Sequence, residues 1–344
     1  MKSSALDIDR VSVFLRENLR NSSGPFSFSL FSSGGSNLTY LVEDSNGLIW
    51  VLRRPPTSKG LATAHDMSRE WNILQQLQGI RAVPVPRVDV FCSDVSITGS
   101  EFYVMEYIPG VILRSRADAE KLSRQYASRC VHSLVETHVA LHNIDINEVG
   151  LNSKKHVEPY VLRQLRRWKQ QIDDGAVRDV HLLDELHSAL LDSYVAVNRS
   201  DSIVHGDYRF DNVVLGPDCS VVSILDWELS TVGDPVADFV WSAQYWADND
   251  DVMHWLPDAP TLATSFPSRE EVLDLYRELS GIDSSDIDWL VVFSWWKQAC
   301  ISEGVYARRM KGIGAGNVSG STDAIAKRVD GLAEVASDLA QQFL

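Results

Sequence analysis

Three side chains at short spacing define the chemistry open to this chain. His205-Gly-Asp207-Tyr-Arg-Phe-Asp-Asn212 sets a carboxylate just ahead of a carboxamide, and Leu225-Asp226-Trp227 adds a second carboxylate soon after. Moving a phosphoryl group asks little covalent work of a protein. It needs cations held on the phosphates and a carboxylate beside the acceptor hydroxyl. Asp207 is of the type to orient such a hydroxyl and take its proton late in transfer. Asn212 offers a neutral oxygen and Asp226 a charged one, and two such ligands suffice for magnesium, which completes its shell with phosphate and water. His205 and Arg209 flank Asp207 and count with it as catalytic candidates.

The spacing is that of H-x-D-x-x-x-x-N, the catalytic-loop pattern of protein kinases. Other parts fall where that pattern needs them. Trp50-Val-Leu-Arg53 ends a strand at the place where V-A-I-K carries a phosphate-binding lysine. Glu70 lies on the following helix, so an Arg53–Glu70 ion pair is expected to hold the guanidinium over the α- and β-phosphates of ATP. Gly34, Gly35, Ser36 and Asn37 stand between two strands, where backbone N–H groups can wrap phosphate. Met105-Glu106-Tyr-Ile108 closes another strand. Adenine is expected to bond there to the Glu106 carbonyl and the Ile108 amide, with Met105 behind it. The expected cofactors are ATP and Mg2+, the latter on Asn212 and Asp226.

The elements that must position these groups follow from periodicity. Ile8, Val11, Leu15 and Leu19 form a helical stripe, and Phe26, Phe28 and Leu30 alternate as a half-buried strand. Strands over 38–43 and 48–53 flank Asn46-Gly47, a strong hairpin signal. Met67, Trp71 and Leu74 mark a helix, Val83-Pro-Val-Pro86 forbids one, and 101–106 reads as a strand. Long helical patterns then cover 118–143, 157–172 and 180–198. They are interrupted by a β segment from 203 to 225, whose halves form a hairpin around Gly216-Pro-Asp-Cys219. The expectation is α+β: a bilobal, protein-kinase-like fold with a β-rich N-lobe (1–108, nucleotide-binding) carrying one main helix. An α-rich C-lobe (109–344) is expected to hold the catalytic loop, metal and substrate sites.

Composition narrows the partners. A net charge of −15 argues against nucleic acid and anionic membrane, which call for a basic surface. Cys92, Cys130, Cys219 and Cys300 are widely spaced and read as reduced thiols. With no apolar leader and no span of membrane length, the expected location is the cytoplasm. His138 and His142 stand at i, i+4 but lack the intervening glutamate and an evident third ligand, so they read as structural. Gly312-Ile-Gly-Ala-Gly316 follows a helical pattern and reads as a loop.

These motifs resemble the aminoglycoside phosphotransferase and choline kinase superfamily, in which His-Gly-Asp stands for the kinase His-Arg-Asp and Asp226-Trp-Glu for Asp-Phe-Gly. The segment Gly233-Asp234-Pro-Val-Ala-Asp238 is similar too, and the resemblance implies that its carboxylates brace the catalytic loop. Ser36-Asn-Leu-Thr-Tyr40, Val51-Leu-Arg-Arg-Pro-Pro56, Ala64-His-Asp-Met-Ser-Arg-Glu70 and Phe102-Tyr-Val-Met-Glu-Tyr107 resemble the subgroup of kinase-like proteins associated with acyl-CoA dehydrogenases. The resemblance implies an ATP- and magnesium-dependent small-molecule kinase that acts on a hydroxyl, with a hydroxyacyl-CoA as favoured acceptor and a functional link to an acyl-CoA dehydrogenase. Such a thioester would want cations, and Arg163, Arg166, Arg167 and Lys169 cluster on one helix, Lys297, Arg308, Arg309 and Lys311 on another. Aminoglycoside, choline and homoserine kinases, and a nucleotide-binding regulator without activity, stay open. Two departures stand out: arginine replaces the phosphate-binding lysine, and the glycine loop lacks a full G-x-G-x-x-G.

Overall fold

The computed structural model describes residues 6–33, 37–56, 66–151, 157–246, 258–312 and 321–344. The chain divides into two compact units, Met1–Val111 with Asn212–Ser230, and Ile112–Asp211 with Thr231–Leu344.

The first unit opens with α1 (Ile8–Asn18), whose N-terminus is capped by Asp7 accepting from the Arg10 amide at 3.1 Å. Val11 and Leu15 of α1, with Leu19, are buried, whereas Ile8 at the head of the stripe is exposed. Then come β1 (Ser27–Ser33), β2 (Leu38–Glu43), β3 (Ile49–Arg54), α2 (Met67–Leu77), β4 (Val88–Cys92), α3 (Val95–Thr98) and β5 (Phe102–Glu106). The strands form one antiparallel sheet in the order β1-β2-β3-β5-β4. Asp44 sets the β2–β3 turn by accepting the amides of Asn46 and Leu48 at 2.8 and 2.9 Å, and Gly47 takes φ 79° there. Trp50, Leu52, Phe102 and Val104 pack their inward faces on α1, each such burial stabilising by roughly 1.5–3 kcal/mol. β4 has no counterpart in the periodicity reading.

The second unit begins with α4 (Arg116–Ala119), α5 (Arg124–His142), α6 (Tyr160–Gly175), α7 (His181–Asp192) and β6 (Ser202–Val204). The helix expected over 118–143 is two helices: α4 ends with Glu120 as its C-cap, and Ser123 caps α5 by accepting from the Tyr126 amide. The chain then returns to the first unit as a hairpin, β7 (Val213–Leu215) and β8 (Val221–Ile224). This hairpin groups with the N-terminal part because Ile224 N donates to Pro84 O at 2.8 Å and Val111 bridges Leu215. Gly110 allows that approach: a Cβ there would stand 2.4 Å from Val214 Cγ1 and 2.6 Å from Leu215 O.

β9 (Thr231–Gly233) pairs with β6, and α8 (Pro235–Ala243), α9 (Arg269–Ser280), α10 (Ile287–Met310) and α11 (Thr322–Phe343) complete the second unit. α10 is its central helix, burying Trp289, Phe293, Trp295 and Trp296. Among the described residues no helix is long and apolar enough to cross a membrane. All four cysteines are free thiols and buried.

Candidate phosphotransfer site

Strand alternation sends Arg53 and Arg54, adjacent on β3, to opposite faces. Arg54 is fully buried and donates to Thr98 O at 2.8 Å. Arg53 meets Glu70 of α2 instead, with Nη1 3.2 Å from Oε1, as the spacing predicts. The structure adds a second partner that the spacing does not give: Arg53 Nη2 lies 3.1 Å from Asp226 Oδ1. One guanidinium thus holds two carboxylates. Burial opposes the charge on Arg53, but Glu70 and then Asp226 outweigh it and keep the guanidinium firmly protonated. Burial pushes the Glu70 carboxyl upward, with Arg53 opposing.

Asp226 sits just past β8 with φ 63° and ψ 68°, a left-handed conformation unusual outside glycine. Its frame is fixed from both sides: Leu225 N donates to Asn212 O at 2.8 Å, and Trp227 N donates to Glu70 Oε1 at 3.2 Å. The base of the hairpin thereby brings Asn212 and Asp226 to neighbouring positions. Asn37 donates from Nδ2 to Glu228 Oε2 at 3.2 Å, tying the first loop to the Asp226-Trp-Glu turn. Gly34, Gly35 and Ser36 lie outside the described residues. Met105 is buried on β5, Glu106 is exposed at its end, and the Ile108 amide makes no hydrogen bond among the described residues.

In the second unit the catalytic-loop candidates converge on Asp238 of α8. Its Oδ2 accepts from His205 N at 2.8 Å and its Oδ1 from Gly206 N at 2.9 Å. Gly206, at φ 84°, turns both amides toward one carboxylate. His138 Nε2 and His142 Nε2 lie 3.0 and 3.4 Å from the same Oδ2, and Tyr276 Oη is 2.9 Å from His142 Nδ1. This arrangement implies that both rings carry the proton on Nε2 and donate to Asp238. Burial, with His142 next, drives the His138 pKa down to about 3, so the ring is neutral at physiological pH. Hydrogen bonds from the two histidines overcome burial and hold Asp238 well below the usual carboxylate range. Asp238 is the third partner that spacing alone did not supply for the histidine pair: the ligand atoms of the three lie within 4.8 Å of one another. Asp238 already accepts from both rings and from two backbone amides, which makes the cluster a brace under the loop.

His205 is fully buried, and its Nδ1 accepts from Asp207 N at 3.2 Å, a positioning contact. Asp207 Oδ1 accepts from Tyr245 Oη at 2.6 Å. Arg209 Nε stands 3.2 Å from Asp207 and 3.1 Å from Asp211, with its guanidinium over the Tyr245 ring at 4.9 Å. The Tyr245 hydroxyl is a partner of Asp207 that sequence spacing does not supply.

The sequence profile of the family described as "Phosphotransferase enzyme family" matches residues 27–271. The chain belongs to this family. It is 33% identical over 327 residues to acyl-CoA dehydrogenase family member 11 of Gallus gallus, covering 93% of this chain and 41% of that protein. The chain thus spans about two fifths of that relative's length. The structure superposes with a TM-score of 0.81 and 25% identity on an aminoglycoside phosphotransferase-type protein of Ralstonia eutropha, over 98% of this chain and 99% of that one. A ternary complex of APH(2")-IIa with streptomycin and ATP matches in fold at a TM-score of 0.61 and 14% identity, over 93% and 99% of the two chains. The expected superfamily, its acyl-CoA dehydrogenase-associated branch and the α+β kinase-like fold therefore hold for this phosphotransferase.

Several members of the two cationic clusters expected on its helices are committed within the fold. Arg166 pairs with Glu158 at 2.7 Å, Lys169 with Asp173 and Asp184, and Arg163 with the carbonyls of Glu158 and Val232. Lys311 donates to Gly175 O at 2.9 Å.

Proposed function

We propose that this phosphotransferase moves the γ-phosphate of ATP, with magnesium, to the hydroxyl of a small molecule, the favoured acceptor being a hydroxyacyl-CoA. The observation that carries the reading is Arg53 held between Glu70 and Asp226, because it ties a phosphate-binding cation to the carboxylate suited to the metal. The oxygen-only donor set of Asn212 and Asp226 fits magnesium, and the carboxylate of Asp226 is partly open to solvent. When bound, magnesium supplies positive charge to the phosphate oxygens. Arg53 grips the α- and β-phosphates with its planar fork. The Ile108 amide and the Glu106 carbonyl receive the adenine edge. Asp207 orients the acceptor hydroxyl, whose oxygen forms the new bond to the γ-phosphorus as the bond to the leaving ADP oxygen breaks, and it receives the proton. Arg209 and Tyr245 hold that carboxylate in place, and His205 with Asp238 holds the loop.

The acyl acceptor is supported by likeness to the acyl-CoA dehydrogenase family relative. The test is incubation with Mg-ATP and separate hydroxyacyl-CoAs, aminoglycosides, choline and homoserine, with product masses read directly. A phosphorylated thioester is the expected product. Turnover of another alcohol alone overturns the acceptor, and nucleotide binding without any transfer overturns the reaction.

A further inference from the structure

Lys297 lies in the middle of α10, a helix otherwise buried among aromatic side chains. It is 8% exposed, and its Nζ stands 3.8 Å from the centroid of the Trp241 ring. Among the described residues that ammonium has no hydrogen-bond acceptor and no ion-pair partner. A buried ammonium left with only a ring face is costly, and proteins normally pair such a charge. Two carboxylates, Asp238 and Asp207, act on it through space without bonding to it. So does a like charge, Arg167 of α6, whose guanidinium lies over Trp168 and also has no carboxylate partner among the described residues. Burial brings the Lys297 pKa down to about 8, with Arg167 adding to the fall. Trp241 of α8 carries this ammonium on its ring, and Tyr245, four residues further on, bonds the carboxylate that receives the acceptor, so Lys297 stands beside that site with Arg167 as an exposed cation acting on it.

We infer that Lys297, with Arg167 as a second cation, recognises the acceptor through an anionic or strongly polarised oxygen, the carboxylate or thioester carbonyl of a hydroxyacyl group, and disfavours cationic acceptors. This rests on the phosphotransfer reading of Asp207. An ammonium poised over an indole face offers its free N–H donors to such an oxygen while the ring keeps water away. The same charge repels the ammonium groups of an amino sugar or a choline in surroundings where screening is weak. The net charge of −15 gives no hint of this, because selection is local.

The experiment compares a hydroxy acid, its CoA thioester, a matched diol without the carbonyl and a matched amino alcohol, each with Mg-ATP. The natural chain is expected to favour the two carbonyl compounds over the diol on the order of 10- to 100-fold in acceptor KM, the scale of a hydrogen bond to a charged group. Lys297→Met is expected to erase that preference mainly through KM, Lys297→Arg to keep part of it, and Arg167→Gln, at an exposed position, to reduce it by a smaller factor. Whichever of acid and thioester is preferred identifies the source of the oxygen. Mg-ATP affinity, read by tryptophan quenching, reports that each variant is folded; should Lys297→Met fail that control, Arg167→Gln carries the test. Equal KM values for diol and carbonyl compounds in the natural chain, or an unchanged preference in the variants, overturns the inference while phosphotransfer stands. Absence of transfer to every acceptor removes the phosphotransfer reading and this inference with it.

Discussion

Asp238→Asn is a near-isosteric change, and the structure gives it no good solution. Both carboxylate oxygens accept backbone amides, Oδ2 from His205 and Oδ1 from Gly206. An asparagine amide nitrogen placed at either position therefore points a donor at a donor. His138 and His142 could shift their protons to suit it, but the backbone amides cannot. The variant also loses the charge in hydrogen bonds that contribute about 1.5–3 kcal/mol each. Removing one partner of such a buried centre costs on the order of 3–5 kcal/mol, and urea unfolding at neutral pH measures it. The pH profile adds a sign. Asp238 titrates well below the 3.8 of the unfolded chain, so its contribution is complete above the unfolded pKa and fades as pH falls below it. The deficit is expected to be flat from about pH 8 to 5 and to narrow in stronger acid. Because the strained loop leads directly into Asp207, kcat is expected to fall on the order of 100-fold as well. A variant within about 1 kcal/mol of the natural chain, with unchanged kcat, refutes the brace.

His138 gives a second pH signature. Its folded pKa of about 3 lies below the ordinary imidazole value of 6.5, so the unfolded chain binds a proton that the folded chain refuses between those values. Stability is lost as pH falls through that window, by up to about 1.4 kcal/mol per pH unit, and His138→Gln is expected to remove one proton's worth of slope from a series of urea midpoints. Arg53→Met leaves Glu70 buried without its cation and is expected to cost on the order of 3–5 kcal/mol. Adding Glu70→Gln is expected to restore much of that stability in thermal melts while ATP affinity stays weak; recovery of affinity argues against the phosphate role. Gly110→Ala drives a methyl into Val214 and Leu215 O, and a loss of about 1–3 kcal/mol is expected in the same melts.

What could be read from the sequence followed contiguity. His205 to Asn212 is one loop, so its spacing survives in a string of letters, and Asn46-Gly47 sets the β2–β3 turn locally. Arg53 and Glu70 were legible because a strand ending and the next helix stand in fixed order. The second bond of Arg53, to Asp226, joins positions 173 apart, and the His138–Asp238 bond joins positions 100 apart. No periodicity encodes such pairings, which appear only once the hairpin and α8 are placed. Tyr245 escaped for a related reason: an aromatic on a helix ordinarily signals core, and only the position of Asp207 makes its hydroxyl a site group. β4 follows directly on Val-Pro-Val-Pro and is too short for its alternation to stand out. Lys297 was grouped with basic neighbours on its helix, although it differs from them by burial.

The central claim is that Asp207 serves phosphoryl transfer from Mg-ATP. Its most direct test is the rate of transfer to the acceptor that the product-mass screen identifies, measured beside Mg-ATP affinity for the natural chain and Asp207→Asn. The account predicts a loss of on the order of 100- to 10,000-fold in kcat, with nucleotide affinity changed by less than about threefold. Transfer by Asp207→Asn at the natural rate contradicts it.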